Sequence, residues 1–297
     1  MRRHVLDTPI SYFALFLTTR YLPKVFCHWM GRIFVSIVYP FLKKDQAGLA
    51  YNLSLALNKP VDDPFIKKII RKTFFNYTEY MADFFMLPQL PPHKAQGFFS
   101  HLEREEILQE ALARGKGAIL LSAHVGNWEF GGTMARMSNY PLAIVAIPHN
   151  TSATNSLVNK LRKDRGIKVF EISNSPFSGI EVLHHLRDNG VVAMVGDKDF
   201  MGHGRPVNFF GKEIVFPVGP VVMAMQSGAA LIPAFTLKQS DGRYFGVLEE
   251  EIPLEREGDR DDAIRKNLEK TAHVFEKYIR KYPDQWYCPD PIDGTVL

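Results

Sequence analysis

GAILLSAHVGNWE, residues 117–129, decides how this chain folds. Its first seven residues are a short apolar run bounded by glycine, the pattern of a strand buried on both faces. The run stops at His124, and Gly126 and Asn127 then supply a turn and a helix cap. Three further runs share the character of the first: LAIVAIP (142–148), KVFEIS (168–173) and VVAMVGD (191–197). Helix-like stretches separate them, at 152–165 and in SGIEVLHHLRDNG (178–190), which closes on a glycine. Strand and helix alternating in this rhythm predict an α/β fold, a central, mostly parallel or mixed sheet flanked by helices.

Working outward, DPFIKKIIRKTFFNYTEYMADFFM (63–86) repeats apolar residues at helical spacing, with proline just inside its start and PQLPP after its end. EREEILQEALARGK (103–116) predicts a shorter amphipathic helix. Residues 217–227 read as a helix, ALIPAFTLK (230–238) and YFGVLEEEI (244–252) as two late strands, and 260–281 as a closing helix. With 46% hydrophobic and 23% charged residues the 297-residue chain is a folding one. It divides into an N-terminal segment, 1–50, and an α/β domain, 51–297.

The net charge of +4 gives a nucleic-acid partner little, but its distribution is uneven. Arg2, Arg3, Arg20, Lys24, Arg32, Lys43 and Lys44 face only Asp7 and Asp45 in the first 45 residues. The same region holds PISYFALFLTT (9–19) and MGRIFVSIVYPFL (30–42), too short and too interrupted by charge to span a bilayer comfortably. Amphipathic helices lying in a membrane interface fit best, with aromatic faces packed on the main domain or one short span as the other readings. The two cysteines, Cys27 and Cys288, stand outside any metal-ligand or CxxC spacing, so free thiols, a reducing compartment and no metal site are expected. His184 and His185 are helical neighbours pointing about 100° apart, a poor pair of ligands.

His124 ends its strand where open α/β sheets place their ligand crevices. Glu129 follows five residues later, and on one continuous helix the two side chains would stand roughly 140° apart. A helix that starts at the Gly126–Asn127 turn instead allows Glu129 to fold back toward the imidazole and fix its tautomer, leaving the other nitrogen as a base. The plainer reading makes His124 a satisfied core residue and Glu129 an acid favoured by the helix dipole. No G-x-S-x-G nucleophile elbow exists in the chain, so an attacking hydroxyl would belong to the substrate. Asp197 ends its own apolar run as His124 does and is expected to face the same crevice.

HVGNWE (124–129) resembles the His-x4-acid motif of the lysophospholipid acyltransferase superfamily, in particular its late lipid A acyltransferase and phosphatidylinositol mannoside acyltransferase branch. Tyr51, Asn52 and Leu53 resemble that branch's early Asn-Leu element, residues 197–235 its Asp, Phe-Phe-Gly and Pro-x-Gly-Pro block, and YPDQWY (282–287) its Gln-Trp signature. The resemblance implies a glycerolipid-acyltransferase-like fold. It implies transfer of a fatty acyl group from an acyl thioester, on acyl carrier protein or CoA, to a hydroxyl or amine of a membrane lipid or glycolipid. No cofactor is needed, and the place of action is the cytoplasmic face of the cell inner membrane. His124 would be the base and Glu129 its orienting partner. Asn127, Arg162, Arg165 and Asp197 would contact substrate, with Arg162 or Arg165 supplying a donor to the developing oxyanion. Phe209, Phe210, Gly211, Pro217 and Gly219 read as packing and turn residues. The ending CPDPIDGTVL lacks the His and Arg residues that follow Gln-Trp in lipid A enzymes, which points to another acceptor. A non-catalytic lipid-binding protein and a thioester hydrolase are the alternative functions.

Overall fold

The computed structural model describes residues 9–137, 140–149, 151–172 and 179–296. Arg2, Arg3, Asp7 and the last residue of the 168–173 run lie outside them. In chain order the helices are α1 (Pro9–Tyr21), α2 (Lys24–Val38), α3 (Lys43–Leu57), α4 (Pro64–Met86), α5 (Pro92–Ala95), α6 (Glu105–Ala113), α7 (Trp128–Met137), α8 (Ser152–Lys163), α9 (Ile180–Arg187), α10 (Gly219–Ser227) and α11 (Arg260–Lys281). The strands are β1 (Phe99–Glu103), β2 (Ala118–Ser122), β3 (Leu142–Ala146), β4 (Lys168–Glu171), β5 (Val191–Val195), β6 (Arg205–Phe209), β7 (Lys212–Phe216), β8 (Ala230–Lys238) and β9 (Tyr244–Leu248).

Seven strands form one sheet in the order β1-β9-β8-β2-β5-β3-β4, parallel throughout except for the β8–β9 pair. The alternation read from the sequence therefore sets the sheet, with β2 at its centre and every residue of β2 buried. Side chains of β2 divide by parity, as a pleat requires. Ile119 and Leu121 face a layer containing α9, α10 and α11, while Ala118 and Leu120 face Leu108 of α6 and Ile167. α7 packs over β8 and β3 on that second side.

The N-terminal division at residue 50 falls within α3, which runs unbroken to Leu57 and buries Leu49 and Leu53 in the main core. Asn52, with no exposed surface, explains the early Asn-Leu element as a clamp. Its amide donates to the carbonyls of Cys288 and Asp290 (2.7 and 2.8 Å) and its Oδ1 accepts the Ile292 amide (3.0 Å), tying residues 288–292 to α3. Phe210 and Gly211 form the two-residue turn of the β6–β7 hairpin, both at positive φ, so the Phe-Phe-Gly element is a turn as expected.

α2 is inverted relative to an ordinary surface helix, which hides its apolar stripe. Two of its polar side chains reach toward α4: His28 Nε2 lies 2.6 Å from Asp83 Oδ1, and Arg32, itself more than half exposed, donates Nε to Glu79 Oε1 at 2.6 Å. Both carboxylates sit on α4 and are buried. Val25, Trp29, Ile33 and Ile37 are exposed, as are Ile10, Phe13 and Leu17 of α1. No single helix among the described residues is long and apolar enough to cross a membrane; α2 extended to Phe41, followed by α3, qualifies only as a pair bent by 93°.

Candidate active site

The turn that carries His124 is built where β2 ends. His124 lies two residues beyond Ser122, and Gly126 adopts φ +68°, the left-handed region that suits glycine. A Cβ at Gly126 would stand 2.1 Å from the carbonyl oxygen of Thr236, so the close approach requires glycine on steric grounds as well. That carbonyl accepts the Asn127 amide at 2.8 Å, while the Gly126 amide donates to the Gln285 carbonyl at 2.9 Å. Asn127 is fully buried, and its Oδ1 accepts the Phe130 amide at 3.2 Å. Asn127 is thus the cap that starts α7, as its position after the glycine predicts.

His124 is held by Asp197. Nδ1 lies 2.5 Å from Asp197 Oδ1, and the His124 amide donates to Oδ2 at 3.0 Å. Strand register explains the pairing: β2 and β5 run parallel with Ala118 opposite Val191 and Ser122 opposite Val195, and the same offset carried two residues on places 124 opposite 197. Burial opposes ionisation of Asp197. The His124 ring, the Lys198 charge and the His124 amide outweigh it and hold the carboxyl below the usual carboxylate range. Trp128 packs edge-on against the imidazole at 4.9 Å, and His124 keeps about a fifth of its side chain accessible.

Glu129 does not reach His124. It occupies the first turn of α7 as expected, but its carboxylate receives a two-pronged contact from Arg162 of α8, Nη2 to Oε1 at 2.5 Å and Nε to Oε2 at 3.2 Å. The contact with His124 expected of Glu129 is made instead by Asp197, expected from the resemblance to contact substrate. The physical reason is charge compensation: Arg162 is buried, and a buried guanidinium needs a carboxylate beside it. Burial pushes the Glu129 carboxyl up, and the stronger opposing pull of Arg162, with Arg165 and His149, sets it low. Asn159 accepts the remaining prong of Arg162 at 3.1 Å.

Of the two arginines, only Arg162 lines the cavity described below. Arg165 is a packing pin, donating to the Phe84 carbonyl (2.6 Å) and to Thr133 (3.3 Å) with its guanidinium 5.3 Å from the Phe84 ring. Its burial, opposed by Glu129, lowers its pKa to about 10.

His124, Trp128, Glu129 and Arg162 open into a cavity of about 990 Å³. It continues beneath α7 along the sheet, over Leu120, Ile144, Ala193, Ala234 and Leu248. Small residues make this hollow: Ala193 and Ala234 face it from the strands, and Gly131 and Gly132 from α7. Tyr12 of α1 and Tyr77 of α4 stand in its wall, which brings the apolar N-terminal helices to the site. Lys198 also lines it, a residue the sequence did not single out. The arrangement offers a carboxylate-held imidazole at one end of an apolar cavity. That combination suits proton abstraction from a hydroxyl beside a long hydrocarbon chain.

Residues 5–288 match the family described as bacterial lipid A biosynthesis acyltransferase. The chain belongs to that family. It is an acyltransferase of lipid biosynthesis, as the motifs imply. Among curated proteins it is similar to a phosphatidylinositol mannoside acyltransferase of Mycolicibacterium smegmatis, 29% identical over 245 residues that cover 82% of this chain and 78% of the relative. It is likewise similar to the protein of that description from Mycobacterium tuberculosis, 29% identical over 248 residues covering 82% and 75%. Within this acyltransferase family the chain keeps the His-x4-Glu spacing. The geometry separates the two residues of that spacing into different contacts, His124 on Asp197 and Glu129 on Arg162.

Proposed function

We propose that this acyltransferase moves a fatty acyl chain from an acyl thioester, carried by acyl carrier protein or CoA, to a hydroxyl of a membrane glycolipid. One observation carries the reading: the His124–Asp197 pair opens into an apolar cavity large enough for a long acyl chain. A sugar-bearing acceptor is favoured by the relatives, which are named for phosphatidylinositol mannoside. In the proposed reaction the acceptor hydroxyl gives its proton to His124 Nε2 as its oxygen attacks the thioester carbonyl carbon. The tetrahedral intermediate then collapses, the carbon–sulfur bond breaks, and the departing sulfur takes the proton back from the imidazolium. Asp197 stays ionised throughout, fixing the tautomer and stabilising the imidazolium. No cofactor enters this sequence.

The place of action is proposed as the cytoplasmic face of the inner membrane. The outward apolar side chains of α1 and α2 support a membrane interface, because a helix that exposes Trp29, Ile33 and Ile37 beside the Arg32 charge suits lipid tails and head groups. Purified protein incubated with radiolabelled palmitoyl-CoA or palmitoyl-carrier protein and a membrane glycolipid fraction tests the reading. Acylated glycolipid with one equivalent of thiol released, absent in His124→Gln, is the expected result. Free fatty acid without acylated lipid would make the chain a hydrolase, and no thioester consumption would make it a binding protein. Flotation with anionic vesicles, lost on joint substitution of Trp29 and Ile33 by glutamate, tests the location.

A further inference from the structure

We infer that Gln285 is a positioning residue, the pin of a strap that holds the catalytic turn. The inference rests on the acyl-transfer reading for its kinetic consequence. Gln285 makes three hydrogen bonds of 2.9 Å each. Its side-chain Oε1 accepts the Lys238 amide, its Nε2 donates to the Lys238 carbonyl, and its own carbonyl accepts the Gly126 amide. The side chain thus pairs with the end of β8 as an adjacent strand's peptide would. The next residue, Trp286, bridges Val125 in antiparallel fashion and is buried. The preceding residue, Asp284, is fixed to α4, where the Asn76 amide donates to its carbonyl (2.8 Å) and carboxylate (2.9 Å).

Residues 125–127 are therefore gripped on one side by Thr236 and on the other by 285–286. The grip matters because the turn has little stiffness of its own, its central residue being a glycine at positive φ. His124 immediately precedes it, and catalytic geometry tolerates displacements of only about 0.5 Å. Gln285 does not line the cavity that His124 opens into, so it acts through the turn. Glutamine suits the post because one planar group supplies both the donor and the acceptor that Lys238 needs. Glutamate loses the donor when ionised and regains one when protonated; methionine, close in size, has neither.

Gln285→Met and Gln285→Glu, made in the full chain, test the inference. Rates are expressed per folded molecule from thermal melts, and amide exchange is followed in peptides spanning 121–130. Gln285→Met is expected to lower kcat roughly 10- to 100-fold with KM for the thioester unchanged, and to speed exchange at 125–127 alone. Gln285→Glu is expected to show the same defect at about pH 8, with its rate relative to the parent recovering as pH falls toward about 4.5 and the side chain takes up a proton. A parental kcat overturns the inference, as does a loss matched by the unfolded fraction or a ratio that stays flat with pH. Failure of both variants to fold overturns it too, making the strap a folding element. Faster exchange at 125–127 in a protein whose parent transfers no acyl group would uphold the strap while removing the acyl-transfer reading.

Discussion

Placing a side chain on Gly126 should disable the enzyme from a position that never meets substrate. In Gly126→Val the new Cβ starts 2.1 Å from the Thr236 carbonyl oxygen, where ordinary contact begins at 3.4 Å, so about 1.3 Å must open between backbone and backbone. Neither partner is a flexible tip: Thr236 lies inside β8, and Gly126 is tied to Gln285. The left-handed conformation costs a further 1–2 kcal/mol, roughly, and losing the two turn hydrogen bonds about 1 kcal/mol each. The expected destabilisation is roughly 3–4 kcal/mol, a fall in Tm on the order of 5–10 °C. The expected loss in kcat is larger than that implies, because a displacement of about 1 Å at a reacting group costs about 100-fold. Thiol release from an acyl thioester in the presence of acceptor, normalised to folded protein below the transition, measures it. Gly126→Ala is the sharper test, having the same Cβ without branching. Parental kcat and parental Tm in that variant would refute the close-contact argument.

Asp197→Asn should lower kcat by about 10³- to 10⁴-fold, since the amide presents the wrong tautomer partner to His124, with a loss of Tm near pH 7 that vanishes at low pH. Glu129→Gln should act mainly on stability, by about 3 kcal/mol, because it strips a buried Arg162 of its counter-charge; replacing both by methionine should recover most of the Tm. If Glu129→Gln instead mimics Asp197→Asn in kcat at unchanged Tm, the two roles are reversed. The carboxyls of Asp197 and Glu129 are both held low in the folded state, so each contributes stability that is complete above its unfolded pKa of about 4 and lost as pH falls through the folded value. Melting curves should therefore drop steeply below about pH 4, and Asp197→Asn should flatten that drop. Ala193→Leu narrows the apolar hollow and should shift acyl preference to shorter chains, each methylene excluded being worth about 0.8 kcal/mol, as a series of thioesters would show.

The sheet was legible because its strands are short apolar runs with buried-on-both-faces composition, and each of the four runs around His124 became a parallel strand. The β6–β7 hairpin was not, since its turn places Phe210 at φ +53°, a residue that carries no turn signal. The strand end at His124 and the Asn127 cap were legible from local sequence for the same reason that the partner of His124 was not. Spacing along the chain reports neighbours on one element, whereas the partner of His124 arrives from an adjacent strand 73 residues later. That Asp197 terminates its run as His124 does was the available signal; strand order alone could turn it into a contact. Gln285 gave no such signal, because its three bonds depend on where β8 ends and how the chain returns to it.

The clamp of Asn52 on residues 288–292 and the grip of Gln285 on the turn bear on the order in which the chain is made. The sheet from β1 to β9 is complete in sequence by Leu248, and His124 and Asp197 can meet as soon as β2 and β5 do. The other half of the grip on the turn, Gln285 and Trp286, comes nearly forty positions later, beyond α11. A chain that has reached Leu248 thus holds every strand of the sheet and both members of the His124–Asp197 pair, but only the Thr236 half of the grip on the turn. On the proposed reading, full rate would therefore wait on residues 284–292 threading back to α3 and α4, so that the last part of the fold to arrive is the part that stiffens the base.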